Sequence, residues 1–170
     1  MLLAAAEAQP DLPAVILEQQ RISYAELGRA VAGLANWLAA AGAKRGELVM
    51  LLMANSIEMT AALNAVWAMG AQVAPINPFL TPSELKKQLG DVQACAIVSD
   101  KVSEEKAAQV AAQFNIPNKL TLGAGGTTLD AWKADEALAL NRSSFPKAED
   151  FALLIFTGGS TGVPKGVNHT

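Results

Sequence analysis

The sequence predicts an α/β fold in which a mostly parallel sheet is flanked by helices. Two observations lead to this prediction. Short, continuously apolar segments of strand length alternate with longer segments whose apolar residues recur every three or four positions. Residue pairs with the spacing of a helix cap stand at the starts of several longer segments. Strands and helices that alternate in this way are typical of parallel sheets, because a helix provides the crossover between neighbouring strands.

The size and composition of the chain fit part of a well-packed α/β domain. The chain has 170 residues, enough for one domain or a piece of a larger one. Apolar residues make up 51% and charged residues 17%, whereas an average domain has about 25% charged residues. This balance excludes a disordered chain and indicates that more surface is buried than a free-standing domain of this size would bury. The net charge of -3 predicts no nucleic-acid partner.

The first predicted elements are two short strands and a helix. We place the two strands at 14–17 and 21–23. Ser23 and Glu26 have the spacing of a capping box, in which each side chain binds the backbone amide of the other residue. From Tyr24 to Ala41 the apolar residues recur at helical steps, and Gly42 stands where a left-handed cap ends many helices.

Three more strand and helix pairs are predicted in the middle of the chain. The strands are placed at 48–53, 72–74 and 94–98, the second of them ended by Pro75. The helices are predicted to be capped at Asn55, Thr81 and Ser103. Pro82 then occupies the first helical position, where proline is tolerated.

The patterns weaken between 120 and 147 and become clear again afterwards. We predict a turn at 123–126 and a helix at 129–140. A continuous apolar run predicts a last buried strand at 151–156.

The loop that follows this strand carries the clearest chemical signal. It is the ten-residue segment 157–166, with the sequence TGGSTGVPKG. Its glycines allow backbone N–H groups to approach an anion closely, and its hydroxyl groups and lysine add donors and a positive charge. The residues predicted to bind phosphate are Thr157, Gly158, Gly159, Ser160, Thr161, Gly162, Lys165 and Gly166. The alternative is a surface hairpin that is glycine-rich by chance.

This loop is not a Walker A loop. That motif requires Gly directly before its lysine and Ser or Thr directly after it, whereas Lys165 lies between Pro164 and Gly166. Val167 indicates that a strand resumes, so we expect the loop to join two strands.

Several other residue types have plain structural interpretations. A single cysteine and a single histidine exclude an internal disulfide and predict no metal site. Cys95 is predicted to be a small core residue and His169 to be exposed or to face out from a strand. Trp67 and Trp132 are predicted to pack between helices.

The sequence predicts no transmembrane segment, because the longest uncharged stretch, 59–83, contains three prolines. A cytoplasmic location is the default for a chain with one cysteine.

The phosphate-loop candidate resembles the signature of the acyl-adenylate-forming, AMP-binding enzymes. This superfamily comprises acyl- and aryl-CoA ligases, nonribosomal peptide adenylation domains and firefly luciferase. Segment 22–27, ISYAEL, resembles the family's early element, and segment 67–77 resembles its Lys-Ala-Gly-Ala element with the following Pro-Ile-Asn. One departure is Gly158, where many members carry Ser. The Thr-Gly-Gly form is similar to that of some fatty-acyl ligases and favours a CoA ligase of fatty acid metabolism.

The resemblance implies ATP-dependent activation of a carboxylic acid. The carboxylate would attack the α-phosphate of ATP to give an acyl-adenylate, and the thiol of CoA would then take the acyl group. Mg²⁺ would accompany the nucleotide. The loop would hold the β- and γ-phosphates, and no residue of this chain is assigned as catalytic.

Members of this superfamily are several times longer than this chain. We therefore expect residues 1–170 to form the first part of the large N-terminal AMP-binding domain, with the C-terminal domain absent. Such a piece should be inactive alone, should bind ATP weakly and could self-associate through an exposed sheet edge. One alternative is a naturally short interaction module derived from the same subdomain. Another is an unrelated phosphate-binding protein whose loop has converged on this sequence.

Overall fold

The structure is a computed structural model that describes residues 2–123, 129–157 and 165–170. Its helices are α1 (Leu2–Ala8), α2 (Tyr24–Ala40), α3 (Ile57–Ala68), α4 (Pro82–Leu89), α5 (Glu104–Gln113) and α6 (Leu129–Ala134). Its strands are β1 (Pro13–Leu17), β2 (Gln20–Ser23), β3 (Leu48–Leu52), β4 (Gln72–Ile76), β5 (Ala96–Asp100), β6 (Asn118–Leu122), β7 (Leu153–Thr157) and β8 (Lys165–His169). A 3-10 turn covers Arg142–Ser144.

The main sheet confirms the predicted α/β class. In the described part of the chain its strand order is β6-β5-β3-β4-β7-β8. All neighbours pair in parallel except β7 and β8, which are antiparallel. The strands β1 and β2 form a separate antiparallel pair. A mostly parallel sheet is therefore present, as predicted, and β3 lies near its centre.

Helices cover both faces of this sheet. Alternate residues of β3 point to opposite faces, as they do in any strand. Val49 and Leu51 pack with α2 and α3, whereas Met50 and Leu52 pack with α4 and α5. All five residues of β3 are buried, which explains why its sequence is continuously apolar rather than alternating.

The predicted helix caps are confirmed at two of four positions. Ser103 directly precedes α5 as predicted, but its side chain makes no capping hydrogen bond. At the start of α2, Ser23 N donates to Glu26 Oε2 at 2.8 Å, and Glu26 N donates to Ser23 Oγ at 3.3 Å. The same reciprocal pair forms between Thr81 and Glu84 at the start of α4. At α3 the prediction was wrong by one residue, because Ser56 rather than Asn55 accepts the hydrogen bond, from Met59 N at 3.0 Å.

Other boundaries also differ from the prediction. Strand β5 starts at Ala96 rather than at 94, and α6 ends at Ala134 rather than at 140. The sequence patterns predicted neither α1 nor β6. Strand β6 is an edge strand in which Leu120 and Leu122 are buried, too few residues to give a clear alternation. Of the predicted turn at 123–126, Gly123 has a φ of 77°, and 124–126 lie outside the described residues.

Strand β4 continues through Pro75 to Ile76, although the proline was predicted to end it. Val73 N donates to Ala152 O at 3.0 Å, so it faces β7. Because successive N–H groups of a strand face opposite neighbours, the nitrogen of Pro75 also faces β7 and has no hydrogen to donate. The proline therefore interrupts the pairing with β7, not the strand itself.

The prediction of a fully buried last strand was wrong. Strand β7 starts two residues later than predicted, and only Leu154 in it is buried. Phe151 is 52% exposed and Ile155 is 40% exposed. Leu153, Leu154 and Phe156 pack against the two hydrophobic clusters, so the burial of β7 is partial rather than complete.

Candidate functional site

The two ends of the predicted phosphate loop lie directly opposite each other. Strand β7 ends at Thr157, strand β8 begins at Lys165, and these residues are paired in the antiparallel register. Thr157 Oγ1 donates to Lys165 O at 3.4 Å, and both residues are exposed. The predicted site residues Gly158, Gly159, Ser160, Thr161 and Gly162 lie outside the described residues.

The pair lies at the edge of the sheet where α/β proteins bind ligands. Strands β3, β4, β5 and β7 run in parallel, so their carboxyl ends meet at one edge. Thr157 is the last residue of β7 and therefore lies at that edge. Ligands of open α/β sheets bind outside the carboxyl ends of the strands. Here a threonine hydroxyl and a lysine ammonium group are exposed close together. They provide a hydrogen-bond donor and a positive charge for an anion.

An aspartate orders two neighbouring loops at the same edge. Asp100, the last residue of β5, accepts hydrogen bonds from Ala54 N at 2.9 Å and from Ser103 N at 2.7 Å. These bonds connect the loop after β3 to the loop after β5. Sequence analysis missed this role, and the signal that could have shown it is the position of Asp100 between a buried strand and a helix start.

The loop after β4 is held in a similar way. Asn77 Oδ1 accepts from Phe79 N at 2.9 Å. Lys106, on α5, donates to the carbonyl oxygens of Pro78 and Leu80. The ring of Phe79 is 87% exposed. The loops after β3, β4 and β5 are thus ordered by polar contacts, and they leave the carboxyl edge of the sheet accessible.

Gly166 has a packing role that the sequence did not show. A Cβ atom at this position would lie 3.1 Å from Leu154 Cδ1 and 3.4 Å from Phe156 Cε1. The lack of a side chain therefore lets β8 lie close to the side chains of β7. This role accounts for glycine at 166 without any ligand.

The opposite end of the hairpin, away from the loop, is tied to the protein core. Trp67 Nε1 donates to Ala152 O at 2.9 Å. Gln72 Nε2 donates to Asn168 Oδ1 at 2.7 Å. Arg45 binds the carboxylate of Asp150. Trp67, predicted to pack between helices, packs against the hydrophobic cluster that contains residues of α2 and α3, and it also makes this hydrogen bond.

The structure also shows the positions of the other three residues that the sequence analysis discussed. His169 is exposed on β8, and the ring of Trp132 lies over Gly33 of α2. Cys95 is half-buried, and burial, followed by the negative charge of Glu47, raises the pKa of its thiol to about 11. The thiol is therefore protonated at neutral pH, which does not favour a nucleophilic role.

The described residues fit a bound polyphosphate better than a metal ion bound by protein ligands. Thr157 and Lys165 offer a hydroxyl donor and a positive charge, both suited to phosphate oxygens. Within residues 2–123, 129–157 and 165–170, no three His, Cys, Asp or Glu side chains are grouped so that they could hold a metal. Magnesium would then have to be bound mainly through the phosphates themselves, a common arrangement for this ion.

None of the helices in the described part of the chain is both long and apolar enough to cross a membrane.

Comparison with known proteins identifies the family. Residues 2–170 match the family model described as AMP-binding enzyme. The chain is 34% identical over 161 residues to a 2-succinylbenzoate–CoA ligase of Geobacillus kaustophilus, covering 95% of this chain and 30% of the ligase. It is 32% identical over 161 residues to the nonribosomal peptide synthetase ivoA of Emericella nidulans, covering 94% of this chain and 9% of the synthetase. The chain thus spans less than a third of the length of these relatives.

Solved structures agree with this assignment. An o-succinylbenzoate CoA synthetase from Bacillus subtilis, solved with its acyl-adenylate intermediate, superposes with a TM-score of 0.76 at 27% identity, covering 99% of this chain and 41% of that one. A long-chain-fatty-acid–CoA ligase from Archaeoglobus fulgidus gives a TM-score of 0.75 at 27% identity, covering 99% and 35%. A match over the whole chain excludes an unrelated protein with a converged loop. The chain belongs to the AMP-binding enzyme family.

Proposed function

We propose that this chain is the phosphate-holding first part of an acid–thiol ligase. The whole enzyme would activate a fatty or aryl carboxylic acid with ATP to an acyl-adenylate and would then transfer the acyl group to CoA. The observation that carries the proposal is Thr157 opposite Lys165 at the carboxyl edge of the sheet. It is supported by the similarity to a CoA ligase over 95% of the chain.

Each residue of the site has a proposed role. ATP and Mg²⁺, when bound, supply the electrophilic phosphorus and neutralise phosphate charge. The ammonium group of Lys165 attracts the β- and γ-phosphates. The hydroxyl of Thr157, which donates to Lys165 O in this structure, would rotate to donate its one hydrogen to a phosphate oxygen instead. Ser160 and Thr161 add hydroxyl donors, and Gly158, Gly159 and Gly162 let the backbone approach the phosphates, next to Gly166 at the start of β8. These groups hold the nucleotide in place, which is the main contribution of proteins to such reactions.

We propose that residues 1–170 are the first part of the N-terminal AMP-binding domain and do not catalyse the reaction alone. The chain spans 41% of the matched succinylbenzoate CoA synthetase, so most of the acid and thiol sites of such an enzyme would lie elsewhere. A cytoplasmic location agrees with a chain that has one half-buried cysteine and no means of forming an internal disulfide.

The phosphate site is tested by titrating the chain with inorganic tripolyphosphate in a calorimeter. We expect weak binding, in the range of about 1 mM, since a few charge-assisted hydrogen bonds without an adenine pocket supply about 4 kcal/mol. Lys165→Ala should weaken the affinity about tenfold, the loss of one such bond. Lys87→Ala, at an exposed position of α4, is the matched control and should leave the affinity unchanged. Equal affinities for both variants would contradict the assignment of Lys165 to the phosphate site. Low-micromolar ATP binding by the chain would contradict only the expectation of weak binding.

The ligase reaction is tested on the protein as its source organism makes it. Its intact mass would show whether it is several times larger than 17.7 kDa. Exchange of labelled pyrophosphate into ATP, dependent on an added fatty or aryl acid, would support acid activation. Acid-dependent exchange that is unaffected by Lys165→Ala would contradict the role of this lysine.

A further inference from the structure

The hairpin formed by β7 and β8 joins the rest of the sheet at one end only. Strands β4 and β7 are paired in register at a single position, Val73 opposite Leu153. By contrast, β7 and β8 are paired at five positions up to Thr157 and Lys165. Since Pro75 has no N–H to offer β7, the ladder towards the loop lacks the hydrogen bond that this residue would donate. The backbone pairing therefore orients the hairpin mainly through contacts at its base.

Ala152, just before β7, is the point where these contacts meet. Its N–H donates to His169 O at 2.7 Å, which closes the base of the hairpin. Its carbonyl accepts two hydrogen bonds, from Val73 N at 3.0 Å and from Trp67 Nε1 at 2.9 Å. The first bond comes from the neighbouring strand and the second from α3. Two donors from different elements restrict the orientation of this peptide group more than one donor can.

Further bonds around the base come from the same side of the protein. Gln72, which is 9% exposed, binds Asn168. Ser144 Oγ donates to Ala68 O at 2.9 Å, next to Trp67 in α3. No comparable side-chain bond joins β4 to Thr157 or Lys165 among the described residues. The Ala152 peptide group is thus held by donors from two elements, and farther along β7 the side chains of Leu154 and Phe156 pack with the hydrophobic cluster of α4 and α5.

The length of the hairpin amplifies a change at its base. From Ala152 to Thr157 the strand extends about 17 Å, at 3.3 Å per residue. A rotation of about 10° at Ala152 would move Thr157 and Lys165 by about 3 Å, and displacements of about 1 Å already matter for positioned groups.

We propose that Trp67 is a positioning residue for the phosphate site. Its indole N–H fixes the carbonyl of Ala152 and, through it, the direction in which β7 and β8 present Thr157 and Lys165. This proposal rests on the proposed function, because it assumes that the loop between these two residues binds phosphate.

The test compares Trp67→Phe with Trp37→Phe in the 170-residue chain. The first substitution removes the N–H and keeps an aromatic ring. The second is the matched control, since Trp37 packs against the same core from α2 and has no bond to the hairpin among the described residues. Tripolyphosphate affinity is measured for both variants, for Lys165→Ala and for the unchanged chain, at a temperature where thermal unfolding shows all four folded.

Trp67→Phe should weaken tripolyphosphate binding about three- to tenfold, the effect of one hydrogen bond on a positioned site. Trp37→Phe should not. In the absence of ligand, the amide resonances of Thr157, Lys165 and Gly166 should shift in the Trp67 variant only. These resonances report the direction of the hairpin, which a general loss of stability would not change in a folded protein.

Phenylalanine is smaller than tryptophan, so a second variant isolates the hydrogen bond. Benzothienylalanine at position 67 replaces the N–H by sulfur and keeps the ring shape, and it should reproduce the weakened binding even if the phenylalanine variant does not fold. Unchanged affinity in this variant, while Lys165→Ala weakens binding, would overturn the positioning role alone. If Lys165→Ala also has no effect, the phosphate site and the positioning role both fail.

Discussion

Strands β3 and β7 belong to the same sheet but are held in very different ways. All five residues of β3 are buried, and it pairs with β4 and β5 along its length. In β7 only Leu154 is buried, and pairing with β4 is limited to Val73 and Leu153. The stability of this fold and the position of its candidate site therefore depend on different parts of the chain. The core strands hold the fold together, whereas the candidate site lies at the end of a strand with one buried residue.

The largest difference is expected when one apolar side chain is shortened in each strand. Leu51→Ala in β3 should lower the free energy of unfolding by about 2–5 kcal/mol, because Leu51 is 0% exposed and its removal leaves a cavity. Ile155→Ala in β7 should cost less than about 1 kcal/mol, since the side chain is already 40% exposed. Urea unfolding of both variants measures the two values. Similar losses of unfolding free energy in the two variants would show that β7 is as well covered in solution as β3.

A smaller effect is expected at the loops between the core and the site. Asp100→Ala removes the acceptor of two backbone N–H groups, those of Ala54 and Ser103. We expect a loss of about 1–3 kcal/mol, because these donors lose a charged partner. Asp91→Ala, at an exposed position after α4, is the matched control and should change stability by less than about 0.5 kcal/mol. Thermal unfolding would reveal both changes, and equal effects would mean that the Asp100 bonds do not stabilise these loops.

The smallest effect is expected at the helix cap of α2 and depends on pH. The hydrogen bond from Ser23 N lowers the pKa of Glu26 below its ordinary value of 4.5. A carboxylate with a lowered pKa stabilises the folded state above pH 4.5, and this contribution is lost as the pH falls through the lowered value. Wild type should therefore be more stable than Glu26→Gln at pH 7, by up to about 1 kcal/mol.

The expected difference between wild type and Glu26→Gln decreases at acid pH, because glutamine does not titrate. Unfolding curves of the two proteins between pH 7 and pH 3 test this. A difference that stays constant over that range would show that the charge of Glu26 does not contribute to the cap.

The core was predictable from the sequence because its signals are local. The capping pair Ser23 and Glu26 lies three residues apart, and β3 is a continuous apolar run bounded by polar residues. Strand β6 escaped prediction because only its Leu120 and Leu122 face the core. The extent of burial in β7 was overestimated for a different reason. An apolar run in the sequence does not show which neighbouring elements cover it.

The candidate site was predictable only at its tip. The composition of the loop predicts that Thr157 and Lys165 bind phosphate, because glycines, hydroxyl groups and a lysine in one short segment suit this ligand. The contacts at the base were not predictable, since Trp67 and Ala152 are 85 residues apart and Arg45 and Asp150 are 105 apart. No local pattern encodes a bond between residues so distant in sequence.

We propose that a polyphosphate binds at the tip of the β7 and β8 hairpin and not elsewhere on this surface. A titration of the isotope-labelled chain with tripolyphosphate, followed through the backbone amide resonances, tests this binding site. We predict that the resonances of Thr157, Lys165 and Gly166 shift together with a common dissociation constant, while those of Leu48–Leu52 in β3 stay constant. Shifts confined to other basic residues, such as Lys86 and Lys87 on α4, would contradict the claim.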